Sequence, residues 1–431
     1  MAKFSARLNP LYNRRLTAHI ATPFGRRAFY DSVAFCNRCG CCRQDCPSYQ
    51  IFLEEPFSPR GRNQFIRLVM EDKLNLSPQN KLAQTIILSC SLCGKCGGSC
   101  AGQIPTAEHV LQMRRALKKR VLPPALHYLL CWRRTAPKMF RFLLGTGLFL
   151  RRLGVLRVLR FMHLCPSWLT HADDILPQKT AFLAKKLVQK NLAKLPEKTP
   201  TLIYLPSLEV SYFTPDVALN LLEKVQRKHT PEIWHDTPSG LFSYVYQQDV
   251  RRSRLQLRRL IKRHARTAGG RLPLLTDSID VYLFLKNAPQ LFAPESAAQL
   301  RARRFAQCII FASDFLTPAP PQEPVKAALQ TAALLWRAED VFTRTEKIFV
   351  DVFGKNFVEC PYTDVSVAAG GYSFVNTPLA QEMGLLCVRN YARHQVGAVF
   401  TLSVLAQWEM NFLFKQFYPH AKAYYLMQTA E

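Results

Sequence analysis

Two runs of cysteines at one repeated spacing are the residues of this chain best suited to chemistry. Residues 36–47, CNRCGCCRQDCP, place Cys36, Cys39, Cys42 and Cys46 at C-x2-C-x2-C-x3-C, followed by Pro47. Residues 90–100, CSLCGKCGGSC, repeat the spacing with Cys90, Cys93, Cys96 and Cys100. Three thiolates two residues apart can wrap three iron corners of a cubane, while the fourth is directed to the other cubane of a two-cluster ferredoxin. The spacing therefore assigns one [4Fe–4S] cluster to Cys36, Cys39, Cys42 and Cys100, and a second to Cys90, Cys93, Cys96 and Cys46. Cys41 is left over as a packing thiol, and its register against Cys42 stays open. Zinc is the competing reading, but structural zinc sites usually read as C-x2-C pairs split by a longer loop. Two complete copies of the 2-2-3 spacing favour iron.

The elements around the runs should be helical. Gly40, Gly94, Gly97, Gly98 and Ser99 let the backbone turn tightly and aim N–H groups at cluster sulfurs. The 43 residues between the runs exceed what a compact bacterial ferredoxin uses. Apolar residues recur at helical spacing in 61–74 and 80–90, and again in 106–120. Residues 36–120 are thus expected to form a helical two-cluster ferredoxin domain. Residues 1–35 read as a basic N-terminal arm that packs on a partner.

Composition narrows the class. The chain has 431 residues, 48% hydrophobic and 20% charged, as globular proteins do. It opens MAKFSARLNP, without the apolar stretch of a secretory leader, and its charge-free runs are shorter than the roughly 20 residues a membrane span needs. Nine of the 14 cysteines fall within 36–100, a clustering that suits metal ligation in a reducing compartment better than a disulfide framework. Fifty-eight Lys and Arg stand against 30 Asp and Glu, a net charge of +28. Such a field suits nucleic acid, an anionic membrane surface or an acidic partner.

The positive charge is concentrated. From His109 to Ala172 there are thirteen Lys or Arg and no acidic residue. Residues 121–195 read as a basic helical bridge, and within 138–164 apolar groups alternate with single arginines. Two readings stay open there: packed helices with snorkelling arginines, or a patch that docks on a membrane or a partner. Residues 251–266 form a second basic helix. That second block carries neither the interleaved aromatics nor a known module of a nucleic-acid binder, and no nucleic-acid partner is expected.

The C-terminal half should alternate strands and helices as parallel α/β sheets. Strands are expected at 199–207, "PEIWHD", "VYLFL", "CIIFA", "TEKIFVDVF" and "GAVFTLSVL", and helices at 215–228 and 377–394. The fold class is α+β multidomain, the helical ferredoxin domain being followed by two Rossmann-like α/β repeats at 196–317 and 318–431. No GxGxxG, P-loop or nucleophile–base pair is present, and no catalytic residue is assigned. His235 and His264 read as surface or capping residues. Cys308, Cys360 and Cys387 lie in or beside apolar stretches and read as buried free thiols.

The residues Cys36 to Pro47, SPRGR at 58–62, and Cys90 to Cys100 resemble the iron–sulfur subunit of glycolate oxidase. They are also similar to that of anaerobic glycerol-3-phosphate dehydrogenase and to heterodisulfide reductase-type subunits. Members of this family carry cysteine-rich CCG motifs in each α/β repeat, which here look degenerate. Val365 and Ser366 stand where paired cysteines would lie in DVSVAAGGY, and Ala406 replaces the cysteine of the later motif. The resemblance implies an electron-transfer subunit of a multisubunit oxidoreductase. Its partner would be a flavoprotein holding FAD and oxidising a 2-hydroxy acid such as glycolate or lactate, with a quinone or other carrier as acceptor. The FAD is expected in that partner and not in this chain. A scaffold or membrane-adaptor subunit with structural clusters is the alternative. Either is expected in the cytoplasm, peripheral on the inner face of the cytoplasmic membrane.

Overall fold

The computed structural model describes residues 20–22, 25–77, 79–116, 137–177, 183, 199–234, 250–315, 325–330, 339–363 and 371–429. His235, Val365 and Ser366 lie outside the described residues.

A short hairpin, β1 (Ile20–Thr22) and β2 (Gly25–Arg27), precedes five helices that form the first unit. These are α1 (Phe29–Ala34), α2 (Pro47–Phe52), α3 (Pro59–Met70), α4 (Lys81–Leu88) and α5 (Thr106–Ala116). Sequence sets their starts: Pro59 takes the first helical position of α3 while the Ser58 hydroxyl accepts from Gly61 N, and Asn80 caps α4 through Ala83 N. The apolar faces meet in one core that includes Val33, Ile66, Val69, Ile87, Val110 and Met113. A polar chain runs through it. Asn63 donates to Thr106 and accepts from His109 Nδ1–H at 2.8 Å, and His109 Nε2 accepts from Ser32 at 2.7 Å. α1 therefore belongs to this core, although residues 1–35 were read as an arm.

The basic stretch then folds into α6 (Pro137–Arg152), α7 (Val155–Phe161) and α8 (Ser167–Ile175). Its arginines do not share one role. Arg151 turns inward to Asp173 and to the carbonyls of Leu176 and Pro177, and Arg160 pairs with Asp174. Lys138, Arg141, Arg152 and Arg157 face solvent. Among the described residues no helix is long and apolar enough to cross a membrane.

Two small parallel sheets follow. The first holds β3 (Leu202–Leu205), β4 (Pro231–Ile233), β5 (Leu274–Thr276) and β6 (Ile309–Phe311) in the order β4-β3-β5-β6, with Ile203 opposite Leu274 and Leu274 opposite Ile309. Helices α9 (Pro215–Val225), α10 (Val250–Arg266), α11 (Ile279–Lys286) and α12 (Ala297–Gln307) make the crossovers. The second sheet holds β7 (Ala327–Gln330), β8 (Ala398–Thr401) and β9 (Lys422–Tyr425) in sequence order, linked by α13 (Glu339–Phe353), α14 (Thr377–Arg393) and α15 (Val404–Phe417).

Two expected strands are helices. VYLFL lies in α11 and is buried on every side, and a short apolar run buried all round carries no period to tell strand from helix. TEKIFVDVF lies in α13, where Val341, Thr345, Phe349 and Phe353 are buried four residues apart, a helical stripe. Phe349 packs edge-on against Phe400 of β8 at 5.1 Å between centroids. His264 is also corrected. It is buried, bonds the Leu272 carbonyl at 2.8 Å and meets the Phe305 ring edge-on.

Buried polar contacts join the units. His171 of α8 meets Glu409 of α15 at 2.8 Å. Tyr204 of β3 donates to Asp277, just past β5, at 2.5 Å, and Tyr425 of β9 donates to the Asp277 carbonyl. Burial raises the Asp277 carboxyl to about 6. Tyr372, beside α14, donates to the carbonyls of Leu88 and Ser89. This last contact seats the C-terminal part of the chain against the residues that lead into Cys90.

Candidate metal centre

The two cysteine runs adopt one conformation. The residue before the second cysteine, Arg38 or Leu92, has positive φ (56° and 62°), and so does the glycine after it, Gly40 or Gly94 (92° and 78°). Each glycine then caps a short helical turn, Cys41–Arg43 or Lys95–Gly98. Glycine occupies the left-handed region without the steric cost a side chain carries, and that cost is accepted at Arg38 and Leu92 in both copies. Matching the turns sets Cys36 against Cys90, Cys39 against Cys93, Cys42 against Cys96 and Cys46 against Cys100. Cys41 falls opposite Lys95. The residues before the last cysteines also meet, since the Ser99 hydroxyl donates to the Asp45 carboxylate.

The side chains approach one another crosswise. Burial pushes the Cys42 thiol up to about 11, and the charges that add to this are Cys36, Cys100 and Cys46. Cys96 is raised well above its ordinary value by burial, then by Cys93, Cys90 and Cys46. Each third cysteine thus feels the charge of its own run and of cysteines in the other. Thiolates so crowded repel one another, and a cationic iron–sulfide core is what such a donor set accommodates. Cys39 and Cys41 are exposed, and hydrogen bonds from the Cys41 backbone and thiol hold Cys39 below its usual value.

Other donors surround the thiols. Leu92 N–H donates to Cys90 Sγ at 3.4 Å, and Cys46 Sγ lies 3.2 Å from the Ser48 hydroxyl and 3.7 Å from Arg62 Nη1. Among the described residues no three His, Cys, Asp or Glu side chains gather as a single metal ion requires. A cubane puts each thiolate on its own iron, so its four ligands stand around a shared core. The chemistry of the donor set and the doubled turn fit that group.

Arg62, Arg114 and Tyr372 lie within stretches read for other reasons, SPRGR and 61–74, 106–120 and DVSVAAGGY, and none of the three was given a role of its own. All three are buried against residues 86–90. No signal in the sequence marked them, because burial and convergence on residues 86–90 are properties of the packing.

Of the degenerate motifs, Ala406 lies buried in α15, and Cys360 and Cys387 are buried as expected. Cys308 is partly exposed.

Residues 32–104 match the family described as 4Fe-4S dicluster domain. The match begins within α1 and ends after the second run, so it contains all eight cysteines of the doubled spacing. No curated protein matches the chain. The match supports an iron–sulfur protein, with residues 32–104 as the part similar to a 4Fe-4S dicluster domain.

Proposed function

We propose that this chain is the iron–sulfur electron-transfer subunit of a multisubunit oxidoreductase. The observation that carries the proposal is the doubled turn of 36–46 and 90–100, with the same pair of positive-φ residues in each run and the two ends joined by Ser99 and Asp45. Cys36, Cys39, Cys42 and Cys100 would hold one [4Fe–4S] cluster, and Cys90, Cys93, Cys96 and Cys46 the other. Bound clusters supply one-electron transfer between a partner FAD flavoprotein of glycolate or lactate type and a quinone or other carrier. The chain's own residues hold the sulfurs, keep water from the buried thiols and set the electrostatics around them. Residues 36–120 are the cluster domain and 121–195 a bridge. The units at 196–317 and 318–431 are Rossmann-like repeats that serve as docking scaffolds. The test is to reduce the anaerobically purified chain with its co-purifying flavoprotein and substrate while recording electron paramagnetic resonance. Two reduced-cluster signals support the reading, and a redox-silent chain refutes it.

A membrane-adaptor role is favoured by one further observation. On α6 and the residue that follows it, Met139, Phe142, Phe149, Leu150 and Leu153 are exposed, and at about 100° per residue they share an arc of about 100°. Phe140, Leu144 and Leu148 face inward on the other side, and exposed Lys138, Arg141 and Arg152 flank the stripe. Phe161 of α7 is 87% exposed and extends the surface with Met162 and Leu164. An apolar stripe bordered along one edge by cations, its one hydroxyl, that of Thr146, being bonded to the Phe142 carbonyl, suits the inner, anionic face of a cytoplasmic membrane. Co-sedimentation with phosphatidylglycerol vesicles should be lost in a Phe142→Asp, Phe149→Asp variant that keeps its iron. Equal sedimentation of the variant would refute the adaptor role.

A further inference from the structure

We infer that Arg62 is a fixed counter-charge that raises the reduction potential of the cluster on Cys90, Cys93, Cys96 and Cys46 above that of the other cluster. Electrons are thereby directed toward the second site. The inference rests on the two-cluster reading and extends it to the direction of flow.

Arg62 is 1% exposed and held from three sides. Nε donates to the Ile86 carbonyl at 3.0 Å, and Nη2 donates to the hydroxyls of Ser48 and Ser89, both at 2.8 Å. Nη1 points at Cys46 Sγ. The guanidinium thus lies between the segment that carries Cys46 and the one that leads into Cys90. Its bonded partners are neutral oxygens and one sulfur, and the ionisable groups it faces are Cys90, Cys46 and Tyr372. A buried cation without a counter-charge is strongly disfavoured. A cluster on four thiolates is anionic, and it gains one more negative charge on reduction. Arg62 is the cation such a group calls for, and an N–H aimed at a ligand sulfur favours the reduced, more negative state. Arg114, buried beside it, donates to the carbonyls of Ile87, Leu88 and Cys90 and adds positive charge on the same side.

The first run is set differently. Arg60 lies near Cys42, but its guanidinium is engaged by Glu55 at 2.5 and 3.1 Å, and Arg43 also approaches Glu55. These side chains are partly open to water, where their charge is screened. The two sulfur sets share a backbone and differ in fixed charge.

The test is a redox titration of the anaerobically purified full chain, read by electron paramagnetic resonance. Cys46→Ser identifies the signal that belongs to the second site. In Arg62→Gln, which keeps donors but removes the charge, that signal should become harder to reduce, and the other should hold. The ratio of oxidised to reduced cluster at fixed potential should change tenfold or more, about 59 mV for a one-electron couple. Arg62→Lys should stay nearer the parent. Ser89→Ala, which frees one anchor of the guanidinium without touching a cysteine, should shift the same signal in the same direction by less. It also serves if Arg62→Gln loses iron. Unchanged potentials in iron-replete variants, or equal shifts at both sites, overturn the inference. A parent chain with no iron or sulfide overturns the two-cluster reading beneath it.

Discussion

Acidification should loosen the helical unit through His109. This imidazole is fully buried on α5 between Ser32 and Asn63, with Phe29 edge-on to its ring at 5.5 Å. Burial, opposed weakly by Glu108, lowers its folded pKa from 6.5 to about 3. The sign follows from which state takes up the proton. Between about pH 6.5 and 3 the unfolded chain binds a proton at this site and the folded chain does not, so stability is lost as pH falls through 6.5 and is intact above it. For an unfolded pKa of about 6.5, the loss between pH 7.5 and 5.5 is about 1.4 kcal/mol, roughly tenfold in the opening equilibrium. Native-state hydrogen exchange of the α5 amides around Val110–Met113 reads this quantity without unfolding the whole chain, once corrected for the intrinsic pH dependence of exchange. His109→Gln is expected to be less stable at neutral pH but to lose this tenfold step. If the variant keeps the same pH dependence as the parent, His109 is not the group responsible and the burial argument fails.

Other expectations follow from the same packing. Cys46→Ser should halve the iron, from about eight to about four per chain, and bleach the site of the second run, whereas Cys41→Ser should leave iron and sulfide unchanged. A loss of iron in Cys41→Ser would mean that the register inferred from the paired turns is wrong. A Cβ at Gly61 would run into the Glu55 carbonyl where α3 begins, so Gly61→Ala should destabilise the helical unit by more than about 2 kcal/mol and lower its melting temperature. Phe349→Ala opens a cavity beneath β8 and should cost about 3–5 kcal/mol in denaturant unfolding of the C-terminal unit. An unchanged unfolding midpoint in that variant would show that the α13 stripe is not the core of that unit.

The iron chemistry and the helices around it were legible because both are local. Ligand spacing is a property of a dozen consecutive residues, and the amphipathic periods of 59–70, 81–88 and 106–116 are each written in a few turns. The strands at 202–205 and 309–311 were readable for the same reason. β5, β7 and β9 were missed because strands of three or four residues are too short to show a period. α11 was misread because an apolar run buried on every side carries none, and α13 was misread although its buried residues recur every four positions. The arginines of 138–164 looked scattered until two of them found Asp173 and Asp174, and the exposed apolar stripe of α6 became visible only when the core-facing side was known.

By itself the sequence determined the identity and spacing of the eight thiols on which the iron–sulfur reading rests, since these are covalent facts. It also determined the large positive charge and its concentration between His109 and Ala172. Only the tertiary structure decided what surrounds those thiols. Arg62, Ser48, Ser89 and Tyr372 come from distant points of the chain, and nothing in their spacing foretells that they converge beside Cys46 and Cys90. The charge of a buried group is felt through the low polarity of its surroundings, and that is a property of packing rather than of order along the chain.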